Sequence, residues 1–306
     1  MSNCASSSIA GAPRDLLVNG IPRDHNDPMR KLTVPAPAKL NLFLHVTGRR
    51  DDGYHLLETL LVAIDLGDSI TLTCRDDGAI RRTSDLTGVP PADDLAIRAA
   101  VALKRETACT LGADIAVIKS IPLGGGLGGG SSDAATVLLA LNRLWGVNLP
   151  RMDLMRIGVA LGADVPFFLG GEPALARGIG ERLTPVTLPT LWFAVIAPAV
   201  LVSTATIFAA PELTRNTTSV KIDIFSEGYG RNDLQSVAVA RYPDIGDALG
   251  ILGERSRLAR MTGSGACVFA PFAAEADARA AIRVRPPGMQ GLVARTLARH
   301  PLAAFA

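Results

Sequence analysis

Neither sign of charge is in excess in this chain. Over 306 residues, 31 Lys and Arg stand against 29 Asp and Glu, a net charge of +2, so nothing draws it as a whole to nucleic acid or an anionic membrane. Any anion must be bound locally. Cysteine is scarce: Cys4, Cys74, Cys109 and Cys267 lie far apart with no CxxC pair. That pattern offers neither a zinc-ligand spacing nor a disulfide framework and suits a reducing, cytoplasmic compartment. A metal ion, if used, would be held by oxygen. Long apolar runs are lacking too. The most apolar, LWFAVIAPAVLV over residues 191–202, is broken by Pro198 and falls short of the roughly 20 residues a spanning helix needs. It reads as a buried strand and its exit. The first thirty residues mix Ser, Pro, Gly, Asp and Arg without periodicity and lack the basic start and apolar block of a secretory signal. A disordered extension over 1–30 is expected there, with the fold starting near Lys31.

What is abundant is core-forming residues and glycine. A 48% hydrophobic, 20% charged composition is that of a globular protein, and the length accommodates two domains. Six glycines occur within seven residues of PLGGGLGGGSSDAAT, residues 122–136. A strand-like run, ADIAVIKSI, leads into them. Beyond them Ala134, Val137, Leu138, Leu141, Leu144 and Trp145 recur at helical spacing up to Gly146. The glycines therefore open a helix, whose N-terminus exposes unpaired N–H groups and a partial positive charge. A glycine loop there can wrap a polyphosphate without a basic side chain. It is not a Walker A loop, because Ser131 and Ser132 follow Gly130 with no lysine. A dinucleotide site would need a second strand ending in an acidic residue about 20 residues on, and the segment near Asp153 reads as helix.

Upstream, LTVPAPAKLNLFLHV alternates as a strand that puts Lys39, Asn41, Phe43 and His45 on one face. LLETLLVAIDLGDSITLTC reads as two strands joined at Gly67-Asp68. Helices are expected at 95–107 and about 152–161. Asp164 follows in GADVPFF, on a helix-to-strand turn where Pro166 keeps Val165 out of the helix. From about residue 190 a strand, two helices near 233–241 and 245–254, strands around the small-residue turn Gly263-Ser264-Gly265-Ala266, a helix at 273–282 and a last strand suggest a sheet with helices on one face.

PLGGGLGGGSSDAA resembles the phosphate-binding signature of the GHMP small-molecule kinases, and APAKLNLFLHVTGRRDDGYHLLETLL, LGADVPFFLGG and MTGSGACVFA extend the resemblance in order over nearly the whole chain after the tail. It implies an α+β, two-domain GHMP kinase fold: an N-terminal, ATP-binding domain like ribosomal protein S5 domain 2 over 31–186 and a ferredoxin-like C-terminal domain over 187–306, with the site between them. The implied activity is ATP-dependent, Mg²⁺-assisted phosphorylation of the 2-hydroxyl of 4-diphosphocytidyl-2-C-methyl-D-erythritol, in non-mevalonate isoprenoid synthesis. A GHMP kinase for another alcohol, such as homoserine or mevalonate, is the alternative. The implied protein is a cytoplasmic monomer or homodimer with no nucleic-acid or membrane partner.

Carried over by motif, Lys39 and Asp164 are the catalytic pair. Pro122, Gly124, Gly125, Gly126, Leu127, Gly128, Gly129, Gly130, Ser131 and Ser132 hold ATP, and Ser131 or Ser132 meets Mg²⁺. Asn41, Tyr54, His55, Thr204, Phe208, Gly263, Ser264 and Gly265 contact the substrate, with Tyr54 and Phe208 stacking on opposite sides of the cytosine. Three departures from the usual pattern are Leu56, Asp133, and the Ala205-Thr206 pair in TATIF where TPVIF is common. Arg215 carries no assigned role.

Overall fold

The structure, a computed structural model, describes residues 30–219 and 230–306. The extension expected over 1–30 lies outside the described residues, Arg30 excepted. Two long strands, β1 (Lys31–Arg49) and β2 (His55–Arg75), run antiparallel from Lys31↔Thr73 to Arg49↔His55. On its other side β2 pairs with β5 (Ala174–Gly178) and β4 (Gly112–Ile118), and β3 (Ile80–Arg82) and β6 (Arg182–Pro185) complete the sheet. β1 is an edge strand, which tolerates its Pro35 and Pro37.

The segment expected to be two strands joined at Gly67-Asp68 is one strand of 21 residues. Gly67 and Asp68 pair with Pro37 and Ala36, and the register then slips to Ala38↔Ile64, so the irregularity takes up Asp65 and Leu66 instead. A side chain on Gly67 would sit 2.7 Å from the Ala36 carbonyl oxygen. A second slip, between Asn41 and Phe43, makes Leu42 the extra residue of a bulge. It overturns the expected face of Lys39, Asn41, Phe43 and His45: past the bulge Leu44 joins Lys39 and Asn41 on the cavity wall, while Phe43 enters an apolar cluster with Leu40 and Leu60.

Four helices cover this sheet: α1 (Leu95–Thr107), α2 (Gly129–Leu144), α3 (Arg151–Leu161) and α4 (Val165–Gly170). α1 begins where expected because Asp94 accepts a hydrogen bond from the Ala96 N–H at 2.9 Å. α2 is buried on every side from Ser132 to Asn142. The expected strand after Asp164 is instead α4. Pro166 lies in its first turn, where a missing N–H costs nothing.

The second sheet has the spatial order β10 (Gln290–Arg295), β7 (Trp192–Ala197), β9 (Val268–Phe272), β8 (Arg260–Met261), all antiparallel. Between β7 and β8 lie α5 (Thr204–Phe208), α6 (Gln235–Arg241) and α7 (Pro243–Gly253), and α8 (Glu275–Ala281) links β9 to β10. This is the split β-α-β arrangement of ferredoxin-like folds. Ala194 and Ile196 of β7 pack on the helices, whereas Phe193, Val195 and Ala197 pack with Leu40, Val62 and Ile64 of the first sheet. Fully burying a side chain such as Phe193 contributes about 1.5–3 kcal/mol, so the cluster between the sheets holds the two halves together. Among the described residues no helix is long and apolar enough to cross a membrane.

The C-terminal segment folds back on the first core. Leu302 is fully buried, and the His300 N–H donates to the Gly171 carbonyl at 2.7 Å. Burial, and then Arg151, push the His300 imidazole down to about 4 from its ordinary 6.5. A folded-state value below the unfolded one means the neutral form is favoured by the fold. Its contribution is complete above about pH 6.5 and is lost as pH falls toward 4, a cost of roughly 3 kcal/mol. Urea midpoints measured from pH 7.5 to 4.5 are expected to fall more steeply for the wild type than for His300→Gln. Parallel curves would show that His300 does not titrate on unfolding.

Candidate active site

A cavity of about 770 Å³ opens between the two sheets. One wall is the glycine turn before α2. Gly124, Gly126 and Gly128 hold φ of +66°, +75° and +73°, a region closed to most side chains. Gly128 occupies the cap position of α2 with no side-chain cap, so the first N–H groups of the helix are left for a ligand.

Not every glycine serves the cavity. A Cβ on Gly126 would lie 2.3 Å from the Thr262 carbonyl oxygen, and one on Gly125 would lie 2.5 Å from Cys267 Sγ. The Cys267 N–H donates to the Gly125 carbonyl at 3.1 Å. In return, a Cβ on Gly263 would meet the Gly126 carbonyl oxygen at 3.0 Å. The loop and the Gly263-Ser264-Gly265 turn between β8 and β9 therefore interlock backbone to backbone. Gly124, Gly126, Gly128, Ser131 and all three residues of that turn line the cavity. Pro122, Gly125, Leu127, Gly129, Gly130 and Ser132 do not. Leu127 is buried in the cluster between the sheets, and Gly129 and Gly130 form the start of α2. Ser132 is fully buried, and its hydroxyl donates to the Pro37 carbonyl at 2.6 Å. Of the two serines, only Ser131 reaches the cavity.

Lys39 is threaded beneath this arch. Its N–H donates to the Leu127 carbonyl at 2.9 Å, its chain runs against Gly128, and only 3% of it is exposed. Its ammonium donates to Asn41 Oδ1 at 2.5 Å and lies 3.6 Å from Asp164 Oδ2. Asp164 stands at the cap position of α4 but makes no capping bond, which leaves its carboxylate to the cavity. Beneath the loop, Lys119 bridges Asp68 at 2.5 Å and Asp133 at 2.8 Å, while Asp68 accepts from the N–H groups of Ser120 and Ile121. The unusual Asp133 is thus a lysine partner. Burial pushes its carboxyl up, to about 7, with Lys119 opposing and Asp68 reinforcing.

The far end is aromatic. Tyr54 is 61% exposed at the rim. Phe208 packs on the His55 ring, centroids 4.9 Å apart, and Thr204 Oγ1 and Ser264 Oγ lie 2.7 Å apart. Ala205 lines the cavity and Thr206 does not; the Thr206 carbonyl accepts from Arg241 instead. Arg215 now has a role that isolated sequence spacing could not supply. It donates to the carbonyls of Phe208, Ala210 and Leu213 and, through Nε, to His55 Nε2 at 3.0 Å. His55 Nε2 is therefore an acceptor, so the ring proton sits on Nδ1. Burial, then Arg215 and Arg49, hold this imidazole below its ordinary value.

Residues 94–172 match the GHMP kinases N terminal domain and residues 213–285 match the GHMP kinases C terminal domain. A 4-diphosphocytidyl-2-C-methyl-D-erythritol kinase of Ralstonia pickettii (strain 12J) is 56% identical over 284 residues, covering 91% of this chain and 98% of its own length. The chain belongs to the GHMP kinase family. A second relative with that name, from Thiobacillus denitrificans (strain ATCC 25259 / T1), is 56% identical and covers 89% of this chain and 97% of itself. A crystal structure of 4-(cytidine 5'-diphospho)-2C-methyl-D-erythritol kinase superimposes with a TM-score of 0.75 at 33% identity, covering 87% of this chain and 99% of its own. The mevalonate kinase of Methanococcus jannaschii, with a TM-score of 0.63, 13% identity and coverage of 87% and 98%, shares the fold. As in the rest of the family, the protein is an ATP-dependent small-molecule kinase with the two-domain α+β fold.

The interlocked turns make a direct test. Gly126→Ala is expected to lower the melting temperature by several degrees and abolish nucleotide binding, since both the Thr262 carbonyl and the positive φ oppose a side chain. Gly130→Ala meets only Leu95 Cδ1 at 3.5 Å and should be neutral or stabilising by up to about 1 kcal/mol. Equal melting curves for the wild type and Gly126→Ala would disprove the interlock.

Proposed function

We propose that the protein transfers the γ-phosphoryl group of ATP to the 2-hydroxyl of 4-diphosphocytidyl-2-C-methyl-D-erythritol. The observation that carries this reading is the continuity of the cavity, from a glycine-lined end beside Lys39 and Asp164 to an aromatic end at Tyr54, His55 and Phe208. A polyphosphate suits the first end and a nucleobase the second. Relatives named for that substrate are more than half identical to this chain, whereas a homoserine or mevalonate kinase reading would leave the aromatic end without a ligand.

An alcohol is a poor nucleophile. The Asp164 carboxylate accepts its proton as the oxygen attacks phosphorus, a contribution of typically 10² to 10⁴ in rate. Lys39, 3.6 Å away, offsets the charge gathering on the transferred oxygens. The N–H groups at the start of α2 hold the phosphates. Among the described residues no group of three or more His, Cys, Asp or Glu could cage a metal ion. The Ser131 hydroxyl, which lines the glycine end of the cavity, suits a Mg²⁺ that would otherwise be carried chiefly by phosphates. Mg²⁺ would neutralise phosphate charge there. At the other end His55 presents an Nδ1–H donor to an acceptor on the cytosine edge, and Tyr54 offers a stacking face worth about 1–3 kcal/mol. The scattered cysteines, which offer no disulfide framework, support a reducing, cytoplasmic location.

An ADP-release assay with Mg-ATP and this substrate is expected to show turnover that Asp164→Asn cuts by 10² to 10⁴ in kcat with the KM for ATP unchanged. Tyr54→Ala should leave kcat nearly intact and raise the substrate KM about fivefold to 150-fold. Absence of turnover in the wild type would send the reading to another alcohol.

A further inference from the structure

Thr59 sits on β2, 3% exposed, beside the Leu42 bulge of β1. Its hydroxyl has one proton, and that proton goes to the Phe43 carbonyl at 2.5 Å. Toward any other neighbour Thr59 Oγ1 can only accept. The neighbour it meets is the Asn41 side-chain amide, whose Nδ2 donates to it at 2.9 Å. An amide has a donor end and an acceptor end of nearly the same shape, so committing Nδ2 to Thr59 commits Oδ1 to the opposite side. There Oδ1 receives the Lys39 ammonium at 2.5 Å and the Thr262 hydroxyl at 3.3 Å. Thr262 Oγ1 in turn accepts the Asn41 backbone N–H at 3.0 Å.

We infer that Thr59 is a positioning residue for phosphoryl transfer: by acting as an obligate acceptor it holds the Asn41 amide with its oxygen on Lys39, and so sets where that ammonium stands. A reversed amide would aim an NH₂ at an ammonium that has almost no solvent to turn to. Repulsion between two donors in a buried site would then move Lys39 away from Asn41 and off its 3.6 Å contact with Asp164. The proton direction is imposed from the backbone. The bulge breaks the ladder locally, and the Phe43 carbonyl beside it takes the threonine proton. The catalytic consequence rests on the kinase reading above, whereas the amide orientation does not.

The test compares wild type, Thr59→Val, which keeps the shape and removes the acceptor, and Thr59→Ser, which keeps both hydroxyl roles. The nitrogen chemical shift of the Lys39 ammonium, read by NMR without substrate, should move in the valine variant and stay at the wild-type position in the serine variant. In the ADP-release assay the valine variant should lose roughly tenfold to a hundredfold in kcat with little change in the KM for ATP, and serine should restore it to within about threefold. Melting curves report whether each variant is folded, and Thr59→Ala takes the place of a valine variant that is not. A folded valine or alanine variant with an unmoved Lys39 signal overturns the inference. A moved signal with inactive wild-type enzyme would support the positioning role and overturn the proposed reaction instead.

Discussion

The free edge of β1 is the constraint on which the rest of the structure depends. An edge strand presents a row of N–H and C=O groups that must find partners once they are buried. Among the described residues no further strand supplies them. The Pro37 carbonyl takes the Ser132 hydroxyl, Lys39 N–H goes to the glycine loop at Leu127, and Asn41 N–H goes to Thr262. Farther along, Leu44 exchanges bonds with Arg231 and Asp233, and the Val46 N–H reaches the Asp233 carboxylate. The strand is thus a template on which a phosphate-type loop from one half and a glycine turn from the other are set side by side.

The cleft follows from that docking. Glycine is needed in the loop for two different reasons. Gly124, Gly126 and Gly128 adopt positive φ, and Gly125 and Gly126 also lie too close to Cys267 and Thr262 for a side chain. The second requirement comes from the opposing domain rather than from a ligand. Because both faces of β7 are buried, one on its own helices and one on β1 and β2, the two turns are held at a fixed approach. Lys39 is consequently immobilised in a nearly closed channel, where its charge acts at low effective dielectric.

Much of this was legible in one dimension. The apolar spacing after Gly130 gave α2, the helix expected over 95–107 is α1, and the small residues around Ser264 marked the turn between β8 and β9. Where the reading failed, the reason was local geometry that composition does not encode. An alternating pattern assumes an unbroken ladder, so the bulge at Leu42 exchanged Phe43 for Leu44 on the cavity wall. Gly67-Asp68 has turn composition, yet the two residues pair with Pro37 and Ala36 within a single strand. Pro166 argues for an extended Val165, yet Val165 opens α4, because the first helical turn accepts proline.

The sequence by itself determined the residue chemistry and the period of most elements: glycines before a helix, a lysine and an asparagine two apart on a strand, an aspartate after a helix end, a tyrosine beside a histidine in a turn. Only the tertiary structure decided which of these act together. Arg215 reaches His55 across 160 residues and Thr262 reaches Asn41 across 221, separations at which no periodicity carries information. Ser131 and Ser132 are adjacent and chemically identical, and a carbonyl of β1 separates their roles by claiming one hydroxyl. Hydrogen-bond direction is a property of pairs in space, and it is the fold that makes the pairs.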